Sequence, residues 1–278
     1  MTAQTDIARI TRGNAAGIGF IRRAGHDQTI PLVLLHGVGS NAESFTALMH
    51  ALPPSIDAIA WDAPGYGQST PLVPPSPSPT DYAAAFEKFL DALKLSRIAL
   101  AGHSLGCLFS GSFAANFSNR ISSLTLMSPA LGYRVAPGAA LPPGVQSRID
   151  EISQLGPTAF AAKRASRLVD EPQSKPKIVA YVEKAMASVN PAGYAQAVRA
   201  LGAGDLLADA ARITLPAAVA VGAKDVVTPP NNARILYSVL KTPAGFHEIG
   251  NAGHALPQEQ PDVMAGILAA FIMEHANG

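Results

Sequence analysis

Short apolar segments alternate with amphipathic helical periods along the first half of this chain, and this alternation most constrains its fold. The segments typical of buried strands are 31–37, 56–67, 97–102 and 121–129, and the helical periods between them are 41–52, 79–93 and 104–117. Strands that alternate with helices form βαβ units, which place helices on both faces of a mostly parallel sheet. We therefore expect an α/β fold whose ligand site lies at the carboxyl ends of the strands.

The chain departs from this alternation in two places. Residues 6–25 predict two strands around a turn at Gly13–Asn14. From about residue 145 to residue 212 the periods are helical only. Strands and helices then alternate again until residue 276. We expect a core made of residues 1–131 and 214–278, interrupted by a helical insertion at residues 132–213.

The sequence "GHSLG" follows directly on the strand predicted at 97–102 and places Ser104 between Gly102 and Gly106. Because the glycines lack a Cβ atom, the strand and the next helix can approach closely while the serine protrudes above the sheet. The serine hydroxyl then lies at the positive end of a helix. This pattern predicts that Ser104 is a nucleophile. The alternative is a glycine-rich turn whose serine only caps the helix.

A nucleophilic serine requires a base, and the base requires a carboxylate that orients it. Among the seven histidines, His254 lies in the loop after the last predicted strand, whereas His36 and His103 lie in glycine turns and are interpreted as structural. Asp225 follows the strand predicted at 216–222 and reaches the same edge of the sheet. We therefore expect His254 to be the base and Asp225 to be its partner.

An acyl-transfer site also needs two donors for the developing oxyanion. The N–H group of Leu105, the residue after the predicted nucleophile, is the first candidate. The second candidate is the N–H group of Val38 in "HGVGS", where flanking glycines allow the backbone to point inward. The alternative for this segment is a plain glycine-rich turn.

Five segments occur in a fixed order along the chain: "LLHGVGS", "WDAPGYGQS", "GHSLG", "VGAKDVVTPP" and "NAGHALPQEQPD". Together they resemble the motifs of the α/β-hydrolase fold family, in its lid-bearing serine type, over nearly the whole chain outside the insertion. The resemblance implies an α/β-hydrolase fold and a helical lid over Ser104. It also implies a triad in the chain order Ser104, Asp225, His254, and a structural role for the glycine loop that contains Asp62.

This machinery predicts a serine hydrolase that cleaves a small carboxylic ester or lactone through an acyl-enzyme intermediate. Three alternatives stay open, because the fold alone does not determine the substrate. They are a C–C bond hydrolase of ring-cleavage products, an acyltransferase, and a non-catalytic ligand receptor. The mechanism requires neither a metal nor an organic cofactor, so we expect none.

The predicted lid supplies candidates for substrate contact. Phe160, Leu168, Tyr181 and Tyr194 could line the pocket, although packing against the core is the alternative for each. Arg164 and Arg167 could bind a carboxylate of the substrate, although arginines at helical spacing are more often solvated.

We expect a small-molecule substrate as partner, and the charge of the chain argues against two other classes of partner. The formal net charge is +1 and no basic run occurs, so we expect binding to neither nucleic acid nor an anionic membrane. The N-terminal segment has no apolar run typical of a signal peptide, and no stretch of about 18 apolar residues predicts a membrane span. A single cysteine, Cys107, excludes an intrachain disulfide. We expect a cytoplasmic protein and leave a homodimer open.

Overall fold

The structure is a computed structural model that describes residues 9–26 and 30–276. Its strands are β1 (Ile10–Ala15), β2 (Ile18–Arg23), β3 (Leu32–Leu35), β4 (Ala58–Trp61), β5 (Ile98–His103), β6 (Ile121–Met127), β7 (Ala217–Gly222) and β8 (Pro243–Ile249). They form one eight-stranded sheet in the order β1-β2-β4-β3-β5-β6-β7-β8. Strand β2 is antiparallel to both of its neighbours, and all other neighbours are parallel. The predicted, mostly parallel sheet is confirmed.

Helices connect the strands. They are α1 (Thr46–Ala51), α2 (Pro79–Ala92), α3 (Leu105–Asn116), α4 (Pro143–Arg164), α5 (Pro176–Ala187), α6 (Pro191–Ala203), α7 (Leu206–Ala210), α8 (Pro230–Val239), α9 (Leu256–Glu259) and α10 (Pro261–His275). None of these described helices combines the length and apolar character that a membrane span requires.

Helices α4 to α7, called the inserted helices below, all lie between β6 and β7. Helix α4 bends sharply at Gly156, whose φ of 72° is not helical, and Pro157 follows the bend. This bend lies within the segment of about 145–212, whose predicted periods are helical only. The exact division into a core (1–131 and 214–278) and a lid (132–213) stays a prediction, and residues 1–8, 27–29 and 277–278 lie outside the described residues.

The strands bury side chains on both faces of the sheet, as their continuous apolar sequences predict. In β3, Leu32 and Leu34 pack on one face with residues of α1 and α10, whereas Val33 and Leu35 pack on the other with residues of α2 and α3. The apolar cluster that contains Val33 and Leu35 also includes residues of the inserted helices. The expected helices on both faces of the sheet are therefore confirmed, and the inserted helices share the core of one face.

Among the described residues, the strand prediction is wrong at the turn of the first hairpin. Gly13 and Asn14 lie inside β1, and the chain reverses at Ala16 and Gly17, which have φ values of 51° and 78°. A Cβ atom on Gly13 would lie 2.4 Å from Cζ of Phe20 on the neighbouring strand. Gly13 therefore makes room for a cross-strand aromatic ring and does not form the turn.

Candidate active site

Ser104 occupies a strained turn between β5 and α3. Its φ of 55° and ψ of −114° are unusual for a residue with a side chain. A Cβ atom on Gly102 would lie 2.4 Å from the carbonyl oxygen of Gly106, and one on Gly106 would lie 2.1 Å from that of Leu35. The backbone of α3 therefore contacts β5 at Gly102, as the sequence predicts, and contacts the neighbouring strand β3 at Gly106. Backbone strain of this kind is typical of functional sites.

The three residues of the predicted triad come together at the carboxyl edge of the sheet. Nε2 of His254 lies 3.0 Å from Oγ of Ser104, and Nδ1 of His254 lies 2.9 Å from Oδ2 of Asp225. All three side chains are buried. Residues 150 positions apart in the sequence thus lie within hydrogen-bond distance.

The protonation pattern of His254 follows from its neighbours. An ionised carboxylate only accepts hydrogen bonds, so Nδ1 of His254 carries a hydrogen and donates it to Asp225. Nε2 then has a free lone pair, which accepts the hydroxyl hydrogen of Ser104. This arrangement fits a general base that removes a proton from an attacking serine.

The carboxylate of Asp225 is held in its charged form by its surroundings. Oδ1 accepts hydrogen bonds from the N–H groups of Val227 and Thr228, both at 2.8 Å, and the hydroxyl of Thr228 lies 2.9 Å from Oδ2. Burial raises the pKa of Asp225, but the charge and hydrogen bond of His254 and these two N–H groups outweigh burial and lower the pKa to about 2. Asp225 is therefore ionised throughout the neutral range.

Thr228 is a contact of the triad that the sequence analysis missed. Its hydroxyl also lies 2.9 Å from the carbonyl oxygen of Ser128 and 3.1 Å from Nδ1 of His254. Asp225 accepts from N–H groups two and three positions later, which is the local pattern of an Asx turn. That pattern in "DVVT" was a signal that could have pointed to Thr228.

His36 and His103 have the structural positions that the sequence predicts. Nε2 of His36 accepts a hydrogen bond from the N–H group of Ala63 at 3.0 Å, and Nε2 of His103 lies 2.8 Å from the carbonyl oxygen of His254. A carbonyl only accepts, so Nε2 of His103 carries the hydrogen. Burial is the main cause that lowers the pKa of both rings, to about 3 for His103. Both are neutral rings that hold loops in place.

A cavity of about 330 Å³ opens beside the triad and is lined by Ser104, His254, Val38 and Leu105. Leu105 is the first residue of α3, so its N–H group has no partner inside the helix. Within residues 9–26 and 30–276, neither the N–H group of Val38 nor that of Leu105 donates to another group. Both predicted donors therefore border the space in front of Ser104, and their role toward an oxyanion stays a prediction.

The structure brings only some of the lid candidates to this cavity. Tyr194 and Leu168 line it, whereas Tyr181 and Arg167 do not. Phe160 does not, because its fully buried ring packs edge-to-face behind Tyr194, with 5.3 Å between the ring centroids. Arg164 does not either, because it lies over the Phe160 ring at 4.8 Å and forms an ion pair with Glu151. The expectation that Phe160 and Arg164 line the substrate pocket is therefore corrected.

Arg148 of α4 lines the cavity, although the sequence analysis did not single it out. No local sequence pattern distinguishes Arg148 from the other arginines of the insertion, because tertiary packing decides which of them lines the cavity. Across the described part of the chain, no group of three or more His, Cys, Asp or Glu residues is placed to hold a metal ion.

Comparison with known proteins agrees with the α/β fold described above. Residues 30–261 match the family model for the alpha/beta hydrolase fold. The chain is 31% identical over 116 residues to a poly(3-hydroxyalkanoate) depolymerase of Ectopseudomonas oleovorans, a match that covers 42% of this chain and 41% of that protein. It is also 31% identical over 110 residues to a 2-hydroxy-6-oxononadienedioate/2-hydroxy-6-oxononatrienedioate hydrolase of Escherichia coli, covering 38% of each. The chain thus spans about two fifths of the length of these two curated relatives.

A solved structure extends the likeness to nearly the full chain. The enol-lactonase from Burkholderia xenovorans superposes with a TM-score of 0.82 at 22% sequence identity, covering 95% of this chain and all of that chain (100%). At this identity the likeness supports the fold and not the substrate. The family model covers far more than half of the sequence, so the chain belongs to the alpha/beta hydrolase fold family.

Proposed function

We propose that this protein is a serine hydrolase that cleaves a small carboxylic ester or lactone. The observation that carries the proposal is the continuous hydrogen-bonded chain from Ser104 through His254 to Asp225. Ser104 and His254 line a cavity that is also bordered by two backbone N–H groups without a hydrogen-bond partner, those of Val38 and Leu105. A nucleophile, a base, an orienting acid and oxyanion donors are the parts that acyl transfer needs.

The reaction begins when Oγ of Ser104 attacks the substrate carbonyl while Nε2 of His254 takes the hydroxyl proton. The positive charge that develops on His254 is stabilised by Asp225. The N–H groups of Val38 and Leu105 hold the oxyanion. His254 then donates its proton to the leaving alkoxide, which leaves an acyl group on Ser104. A water molecule, deprotonated by His254, attacks this ester and releases the acid and the free serine.

The inserted helices act as a lid in this proposal. Leu168 and Tyr194 come from the insertion and border the same cavity as Ser104. Burial of the triad under these residues lowers the local dielectric, which strengthens the interactions that stabilise the oxyanion. The lid residues therefore set the size and polarity of the acids and alcohols that the site accepts.

A second candidate function is hydrolysis of a C–C bond in a ring-cleavage product. The likeness to a hydrolase whose name gives an oxo-dienedioate substrate favours this candidate. The likeness to a poly(3-hydroxyalkanoate) depolymerase favours the ester or lactone. The two candidates share the triad, so only the substrate distinguishes them.

The test is a panel of p-nitrophenyl esters of increasing acyl length, with lactones and an oxo-dienoate alongside. We expect turnover of esters or lactones and a fall in kcat of at least about 10⁴-fold in Ser104→Ala. Ser238→Ala is the matched control, because Ser238 is exposed on α8, with its hydroxyl 2.8 Å from the carbonyl oxygen of Ile235, and does not line the cavity.

Each other outcome assigns the site differently. Turnover of the oxo-dienoate alone would establish the second candidate. Binding of ligands without turnover, equal in wild type and Ser104→Ala, would indicate a receptor and overturn the proposal. Mass spectrometry of the quenched reaction adds an independent check, since an acyl adduct should appear on Ser104.

A further inference from the structure

The cavity beside Ser104 has an uneven distribution of charge. Its walls combine apolar side chains, among them Leu131 and Leu201, with uncharged polar ones, among them Tyr133 and Asn232. Arg148 is the one lysine, arginine or acidic side chain among the described residues that line it. A permanent positive charge therefore faces a cavity whose other lining residues carry no permanent charge and which also holds the nucleophile.

Arg148 has no acidic partner in the described part of the chain. The acids nearest to it on α4 are bonded elsewhere. Glu151 is bound by Lys163 and Arg164, and Asp150 accepts a hydrogen bond from Gln146 at 2.8 Å. A buried or half-buried cation normally has a carboxylate partner. Arg164, on the same helix, follows this rule, since it pairs with Glu151.

The group next to Arg148 is neutral. Burial raises the pKa of the Tyr194 hydroxyl, while the charge and a hydrogen bond of Arg148 oppose this increase. Tyr194 lines the same cavity as Arg148 and is an uncharged neighbour that does not neutralise the guanidinium. A guanidinium presents several N–H donors in a plane, an arrangement that matches the two oxygens of a carboxylate.

We propose that Arg148 binds a carboxylate of the substrate, so that the natural substrate is an acidic ester or lactone. Such a molecule has a scissile carbonyl at Ser104 and a second, anionic end at Arg148. This inference rests on the proposed function and makes it more specific. It replaces Arg164 by Arg148 as the residue that recognises an anion.

The test compares two esters of equal chain length that differ in one charge. These are p-nitrophenyl hydrogen adipate, which has a free carboxylate, and p-nitrophenyl methyl adipate, which is neutral. We expect wild-type kcat/KM to favour the acidic ester by about 10- to 100-fold, the range of one hydrogen bond to a charged group. Arg148→Met should abolish this preference mainly through KM, and Arg148→Lys should restore part of it. Arg199→Met is the matched control, because Arg199 lies on α6 outside the cavity.

Free adipate serves as a second probe in the inactive Ser104→Ala variant. It should bind measurably by calorimetry, and Arg148→Met in that background should weaken binding by a similar factor. Equal kcat/KM for the two esters in wild type, or an equal loss for both in Arg148→Met, would overturn the inference while leaving the esterase intact. Absence of Ser104-dependent turnover of every ester would instead overturn the proposed function, and the adipate titration would still report on Arg148.

Discussion

The imidazole of His103 donates a hydrogen bond from Nε2 to the carbonyl oxygen of His254 at 2.8 Å, so the residue before the nucleophile holds the loop of the base. The pKa of His103 is lowered to about 3, chiefly by burial, from an ordinary value of 6.5. Between these pH values the unfolded chain binds a proton that the folded chain does not. The free energy of unfolding therefore falls as the pH falls, by up to about 1.4 kcal/mol per pH unit from this group.

His103→Asn should make this pH dependence shallower by the same amount between about pH 6 and pH 4. Urea unfolding curves of both proteins at several pH values measure the difference. His50→Asn is the control, since His50 is exposed on α1. Parallel stability curves for wild type and His103→Asn would contradict the assignment of a neutral, buried ring.

Glu259 joins the loop of His254 to the insertion through a buried carboxylate. Its oxygens accept from the N–H group of Gly253 at 2.7 Å and from Nζ of Lys175 at 2.9 Å. Lys175→Met leaves the charge of Glu259 uncompensated and should lower the free energy of unfolding by about 3 kcal/mol. Glu259→Gln should also destabilise the fold, because the ammonium group of Lys175 then lacks the carboxylate of Glu259 beside it.

The double variant Lys175→Met/Glu259→Gln provides the decisive measurement. Because neither charge remains, we expect it to be more stable than the sum of the single effects predicts, with a coupling energy of about 1–3 kcal/mol from urea unfolding. Strictly additive losses would show that the pair does not act as a unit.

The strands could be predicted because a strand that is buried on both faces of the sheet has an uninterrupted run of apolar residues. Segments such as "PLVLLHG" and "RIALAG" are apolar without interruption, and β3 and β5 occupy them. The first turn was not predictable in this way. Gly13 is a glycine because of Phe20 on the paired strand, and a contact between strands has no signature at the turn itself.

The triad could be predicted for a related reason, while the substrate contacts could not. Ser104, Asp225 and His254 each follow a strand, and a parallel sheet brings all such loops to one edge. Arg148 and Arg164 lie on one helix at similar distances from its bend. Which of them reaches the cavity depends on the angle between two helical segments and on the position of Glu151, and neither is encoded in a short window.

Asp225→Asn tests the orienting carboxylate. An asparagine cannot hold His254 in the tautomer that leaves Nε2 free, so we expect kcat for the best p-nitrophenyl ester to fall about 10⁴-fold. Thr228→Val keeps the shape of the side chain but removes a hydroxyl 2.9 Å from Oδ2 of Asp225. A loss of one hydrogen bond to a charged group predicts a smaller decrease, of about tenfold or more. Near-normal turnover in Asp225→Asn would mean that another acid orients His254.

The close contact of strand and helix at the nucleophile turn can be tested through Gly106. An alanine there would place its Cβ atom 2.1 Å from the carbonyl oxygen of Leu35, and backbone cannot give way as a flexible side chain can. We expect Gly106→Ala to lower the free energy of unfolding by about 3 kcal/mol or more.

Gly266→Ala is the matched substitution with the opposite expected sign. Gly266 lies inside α10, and a Cβ atom there would have no neighbour within 4 Å. An alanine should therefore stabilise the fold by about 0.5–1 kcal/mol, because it restricts the unfolded chain without a clash. Thermal and urea unfolding of both variants measure the two effects. If Gly106→Ala were as stable as wild type, β3 and α3 could not be in backbone contact at Gly106, and the rigid turn that presents Ser104 would need another explanation.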